Sequence, residues 1–185
     1  MSKMELGLKR GIVQLEKNNQ LWEVDAKNII EELYSILGSV TIDIQHVGST
    51  AIKGIFAKPI IDIAVGVEDV NDVLKYIDNL QENRIIYRGS VQPDQLLFVM
   101  GDFEQNTRTH HIHVVKYQGE QWKNYIIFRD YLNKVPEDLR RYEALKMKLA
   151  KKYPENRVAY TENKKELIMQ LIKEAHAFFK NSEIV

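Results

Sequence analysis

Three short stretches hold the residue types that could do chemistry together. In HVGSTAIKGIFAKPIIDIAVGV, residues 46–67, a Gly48-Ser49-Thr50 turn ends one apolar run and Asp62 interrupts the next. Glycine lets the backbone approach an oxygen-rich ligand, and serine adds a hydroxyl beside exposed N–H groups, so phosphate is the natural guest of the turn. A carboxylate on the following strand can hold a divalent metal that bridges to the same phosphate. Each feature also has an ordinary reading, as a plain turn and as an acid bonded to a neighbouring backbone or basic group. In RTHHIHVVKY, residues 108–117, His111 and His113 alternate and share a strand face, with His110 turned away. Two imidazoles with Asp62 suit Zn, Mn or Fe and leave room for water or a phosphate oxygen; without a metal they would bond backbone groups or water. Lys58 precedes the Asp62 strand and Arg108 opens the histidine strand, so each can neutralise phosphate charge or merely snorkel from a strand end. Arg129, in FRDYL, can reach the ligand or pair locally with Asp130, and His46 can orient the ligand or pack at its strand end.

These groups must be positioned by elements of both periods. Residues 20–37 place apolar side chains on one helical stripe, and Gly38 supplies the stop. Residues 40–47 alternate apolar and polar as a strand with one covered face, whereas 58–67 is nearly continuously apolar and reads as a strand covered on both. An amphipathic helix is expected over 68–80, with Glu68 and Asp69 near its start, and strands over 84–90, 95–101 and 108–116, the first two joined by a turn in SVQPD. Three helices follow Gly119, with Pro136 in the first turn of the second and Thr161 capping the third. Trp22 and Trp122 fall within apolar helical stripes and read as core. The expected architecture is α/β (α+β): one domain over 1–185, with a mixed sheet flanked by helices in a core of about 20–117 and a C-terminal helical layer over about 119–181.

Charge narrows the partner. Lys plus Arg and Asp plus Glu number 26 each, so no overall field draws the chain to nucleic acid or an anionic membrane. Lysines 146, 148, 151 and 152 form a local basic segment without interleaved aromatic platforms, which reads as a solvated helix and ranks nucleic acid last. The absence of cysteine excludes disulfides and thiolate ligands and fits a reducing cytoplasm. The N-terminal residues lack an apolar signal core, and no run is long enough to span a membrane, so a cytoplasmic protein is expected.

The four stretches HVGSTAIKGIFAKPIIDIAVGV, RTHHIHVVKY, FRDYL and YTENKKELI, in that order, resemble the GrpB family of the nucleotidyltransferase superfamily. The resemblance implies a nucleotidyltransferase-like core in which Gly48, Ser49 and Thr50 grip a phosphate chain and Asp62 is the first metal carboxylate. It further implies a second carboxylate two residues on, a third from a later strand, and divalent ions (Mg, Mn or Zn) for nucleotidyl or phosphoryl transfer. This chain departs from that pattern: the second position is Ala64, which offers no ligand, and the later strand carries histidines. Two principal functions follow. One is a nucleotidyltransferase-like protein that binds a nucleotide or another phosphorylated small molecule through Gly48, Ser49, Thr50, Lys58, Arg108 and Arg129, with a metal near Asp62, His111 and His113. The other is a non-catalytic ligand-binding or interaction module that has lost its second carboxylate. Metal-dependent phosphoester hydrolysis on the histidines and Asp62 ranks third.

Overall fold

The structure, a computed structural model, describes residues 6–182. Its centre is a five-stranded sheet of β1 (Thr41–Val47), β2 (Ile61–Val67), β3 (Ile86–Gln92), β4 (Gln95–Met100) and β5 (His110–Lys116), in the spatial order β1-β2-β5-β4-β3. Only β2 and β5 run parallel, with Asp62 beside His111 and Ala64 beside His113; the other neighbours are antiparallel, and Val47 of β1 lies opposite Asp62. The mixed α/β (α+β) sheet expected from the two apolar periods is therefore present.

Strand parity splits the side chains between two layers. Ile61, Ile63, Val65 and Val67 of β2, with Ile112 and Val114 of β5, pack against Ala26, Ile29, Leu33 and Leu37 of α1 (Gln20–Leu37). Each fully buried Leu or Ile there contributes about 1.5–3 kcal/mol relative to exposure. The opposite face carries Asp62, Ala64 and Gly66, and is covered by α3 (Glu120–Lys134), which follows the short α2 (Ile77–Glu82) and the β3–β5 strands. Trp122 of α3 lies so close over Gly66 that a Cβ there would meet its ring at 2.8 Å, so glycine is required for this approach. Helices α4 (Pro136–Lys152), α5 (Arg157–Glu162) and α6 (Lys165–Ser182) complete the C-terminal layer, where Ile52 and Ile55 join Phe128, Leu132, Tyr142 and Leu171 in a second core. Trp22 and Trp122 are both buried, as their stripes predict.

Local differences from the sequence reading have physical causes. The segment expected as an α-helix over 68–80 is a 3₁₀-helix over Val70–Tyr76 followed by α2. Val70, Val73 and Tyr76 recur every three residues, the repeat of a 3₁₀-helix, and Asp69 caps it by accepting from Asn71 N–H. The strand expected from Lys58 begins at Ile61, because Pro59 lacks an N–H and Ile60 N–H bonds Lys58 C=O at 2.7 Å. Thr161 is not a cap: it lies inside α5, whose cap is Asn156, accepting from Ala159 N–H at 3.0 Å. The β3 strand runs to Gln92, so the hairpin turns at Pro93-Asp94, with Asp94 at φ 59°.

Candidate functional site

Gly48 occupies φ 68° and starts a 3₁₀ turn over Ser49–Ala51. A Cβ on Gly48 would lie 2.5 Å from Asp62 Oδ2 and 2.9 Å from its Cβ, so the backbone of the turn rests directly on the Asp62 side chain. Gly48→Ala is expected to destabilise the fold by about 1–3 kcal/mol, from the left-handed backbone and the displaced carboxylate together. A urea midpoint equal to that of the wild type would show that the contact is not needed.

Asp62 in turn organises the histidines. Its Oδ1 lies 3.1 Å from His111 Nδ1 and 3.6 Å from His113 Nε2. Burial opposes its ionisation, yet the hydrogen bond from His111 and the close approach of the His113 imidazole outweigh burial and hold the carboxyl well below the usual range. Burial also lowers the His111 pKa, against the pull of Asp62. On its far side, His111 Nε2 accepts from Arg157 Nη2 at 3.3 Å, and His113 Nδ1 accepts from Gln95 Nε2 at 3.2 Å. His110 faces away and is buried, with its pKa lowered to about 4 by burial.

Around this trio the C-terminal helices bring a set of cations. A pocket of about 240 Å³ is lined by Ser49, Asp62, His111 and His113, and by Lys58, Lys146, Arg157 and Lys164. Lys146, read from sequence as part of a solvated helix, is instead 1% exposed: Tyr142, Lys146 and Leu149 form the buried stripe of α4, and its ammonium donates to Phe56 C=O. Burial, then the positive charge of Lys164, pushes its pKa down to about 7, with Glu143 opposing. Lys58 is likewise lowered to about 7 by burial and by Arg157 and Lys164, with Asp62 opposing. The ammonium groups of Lys58 and Lys164 lie 5.5 and 4.5 Å from the centre of one ring, Tyr160, and among the described residues neither has a hydrogen-bond acceptor. Ser49 Oγ and Tyr142 OH are 3.1 Å apart at the pocket wall.

Of the residues predicted from sequence, Gly48, Ser49, Lys58, Asp62, His111 and His113 converge here. Thr50 does not: it is buried on the other side of the turn, with Oγ1 2.9 Å from His46 Nε2. Arg129 pairs with Asp130 at 2.7 Å and donates to Gln45 Oε1 and His46 C=O, so it braces β1. Both residues line a wider groove of about 860 Å³ beside α1, which lacks the concentrated charge of the smaller pocket. Arg108 also stands apart, with its guanidinium 4.5 Å from the Phe103 ring centre and Nη1 donating to Thr107 C=O. Lys146, Arg157, Tyr160 and Lys164 were not singled out as ligand groups; the usable signals were a lysine inside an apolar helical stripe and the YTENKKELI stretch.

The residues do not fit the metal centre that the resemblance implies. Ala64 is fully buried among Val47, Val115 and Trp122, and among the described residues no group of three or more His, Cys, Asp and Glu side chains is placed to hold a metal ion. A guanidinium has only N–H groups to offer, so the His111 lone pair is taken by Arg157 and its N–H faces Asp62. An ion between them would need that lone pair to be on the other nitrogen. Among the described residues, no helix is long and apolar enough to cross a membrane.

Comparison with known proteins gives a consistent result. The family model described as GrpB protein matches residues 12–174. A curated protein named glutamate-rich protein GrpB, from Alkalihalophilus pseudofirmus, is 42% identical over 172 residues, spanning 91% of this chain and 99% of that relative. A UPF0157 protein of Halalkalibacterium halodurans is 30% identical over 158 residues, spanning 85% of this chain and 77% of that protein. The crystal structure of conserved protein GrpB from Enterococcus faecalis superposes with a TM-score of 0.83 at 26% identity, covering 90% of this chain and 99% of that one. With a family model matched over residues 12–174, a relative 42% identical over nearly its whole length and the same fold, this chain belongs to the GrpB family.

Proposed function

We propose that this protein binds the phosphate chain of a nucleotide or another phosphorylated small molecule in the pocket between β2, β5 and the C-terminal helices. The observation that carries the reading is the convergence of Lys58, Lys146, Arg157 and Lys164 on one side of Asp62, with two of the ammonium groups lacking any acceptor among the described residues. Buried like charges repel and lose hydration, an arrangement that an anionic ligand relieves. The absent carboxylate at Ala64 favours a ligand-binding role over nucleotidyl transfer. Turnover remains a separate test: labelled product formed from a nucleoside triphosphate and an acceptor would add transfer to binding.

The direct experiment is calorimetric titration with inorganic tripolyphosphate and, separately, with ATP. Saturable binding that a Lys58→Ala, Lys164→Ala double variant weakens at least tenfold is expected; equal binding by that variant, with its fold intact, would remove the pocket from consideration. Similar affinities for the two ligands would mean that the chain alone is recognised, and tighter ATP binding would place the nucleoside in contact as well.

Acidity supplies a second test. Lys58 faces Arg157, Lys164 and Asp62, while Lys146 faces Lys164, Glu143 and Lys58, and burial leaves both lysines partly neutral near pH 7. A polyanion favours the protonated forms, so binding takes up protons, and affinity is expected to fall as pH rises from 7 to 9, by up to about tenfold per unit for each proton bound. The ligand's own last ionisation only adds negative charge as the pH rises, which acts against the fall and cannot produce it. A flat affinity from pH 7 to 9, with heats independent of buffer ionisation, would show that neither lysine faces the ligand.

A further inference from the structure

Resting on the phosphate-binding reading of this same pocket, we infer that the chain binds a polyphosphate tail without a divalent metal: Lys58, Lys146, Arg157 and Lys164 supply the positive charge that the superfamily's ions would bring, and Asp62 serves as an acceptor for imidazole N–H rather than as a metal ligand.

The hydrogen-bond pattern around Asp62 is the first reason. Arg157 fixes the lone pair of His111 on Nε2, so Nδ1 carries the proton that points at Asp62 Oδ1. Turning that lone pair toward an ion would set His111 N–H against Arg157 N–H, two donors face to face. The other carboxylate oxygen, Oδ2, lies against the backbone of Gly48. Space is the second reason: the adjoining ligand position, Ala64, is fully buried under Trp122 and faces apolar neighbours.

Charge is the third reason. Four cationic side chains and one carboxylate line the pocket, so with all three lysines protonated it carries a surplus of three positive charges. Metal ions in phosphoryl-binding sites neutralise the chain and bridge it to protein carboxylates. A surplus of fixed cations neutralises the same chain directly, and a divalent ion entering with it would meet Lys58, Arg157 and Lys164 as like charges. A phosphate monoester, at about −2, leaves about one positive charge of this surplus unmatched, which favours a di- or triphosphate tail over a monoester.

The experiment is titration of the whole protein with inorganic tripolyphosphate in excess EDTA and, in parallel, in excess Mg²⁺, for the wild type and Asp62→Asn. Binding in EDTA at least as tight as in Mg²⁺ is expected, because the ion masks charge on the ligand. Asp62→Asn is expected to bind in EDTA roughly threefold to tenfold more tightly, since it removes the negative charge nearest the chain. Binding that requires Mg²⁺ overturns metal independence and leaves the phosphate site standing, whereas weaker binding by Asp62→Asn in EDTA overturns the role assigned to Asp62. Absence of binding in both solutions overturns the phosphate site itself, and this inference with it. Should Asp62→Asn fail to fold, the comparison of EDTA with Mg²⁺ on the wild type decides alone.

Discussion

Arg157→Ala is expected to bind tripolyphosphate on the order of 10- to 100-fold more weakly than the wild type, the largest loss of any single substitution in the pocket. Arg157 sits in the first turn of α5, where its backbone N–H bonds Gly11 C=O and its side chain reaches His111. A charge-assisted hydrogen bond contributes about 1.5–3 kcal/mol, and one to a polyanion lies within that range or above it. Arginine matters more than the lysines beside it because its ordinary pKa is so high that burial, which lowers it, leaves it protonated where Lys58 and Lys146 are titrating. Two further signatures separate this role from a structural one. Loss of Arg157 removes a positive neighbour of Lys58, so the pH at which affinity declines is expected to move upward. Arg157→Lys is expected to restore part of the affinity by keeping the charge, although it loses the planar fork that can hold two oxygens. A loss below about threefold at unchanged melting temperature would exclude Arg157 from ligand contact.

The second large effect concerns the carboxylate that this chain lacks. Ala64→Asp is expected to lower stability by about 3–5 kcal/mol, read as the urea midpoint, and to create no Mn²⁺ site. The methyl of Ala64 has no exposure and packs with Val47, Val115 and Trp122, with Tyr117, Tyr125 and Ile126 around them. A carboxylate placed there is desolvated, and its cross-strand partner on β5, His113, is already directed toward Asp62, with its ring centre 5.2 Å from that of Tyr125. Wild-type stability together with micromolar Mn²⁺ affinity in the variant would mean that the site retains the capacity for a metal centre and that only one ligand is missing.

Much of the sheet was legible because strand parity is a local property. Alternation in residues 40–47 and the apolar run through 61–67 are sufficient to form β1 and β2, and the two-residue repeat alone puts His111 and His113 on one face and His110 on the other. The Gly48-Ser49 turn and Asp62 belong to consecutive strands, so their meeting required no long-range information. The helical half of the site was less legible for the converse reason. A lysine on an amphipathic helix is buried or solvated according to what packs on it, and α4 alone does not state that Phe56 C=O waits above Lys146. Arg108 failed to join the pocket because Phe103, outside the stretch that suggested it, holds its guanidinium. Arg129 likewise found its partners in Gln45 and His46 of β1.

By itself the sequence determined the mixed sheet, the family motifs, and the trio of Asp62, His111 and His113, since these depend on periodicity and on neighbouring strands. Only the tertiary structure decided that the trio faces Lys58, Lys146, Arg157 and Lys164 instead of further carboxylates. Those four residues come from a turn and three separate positions in the C-terminal segment, and their common direction exists only once α4 and α5 pack against the sheet, burying Leu149, Tyr160 and Val13 together.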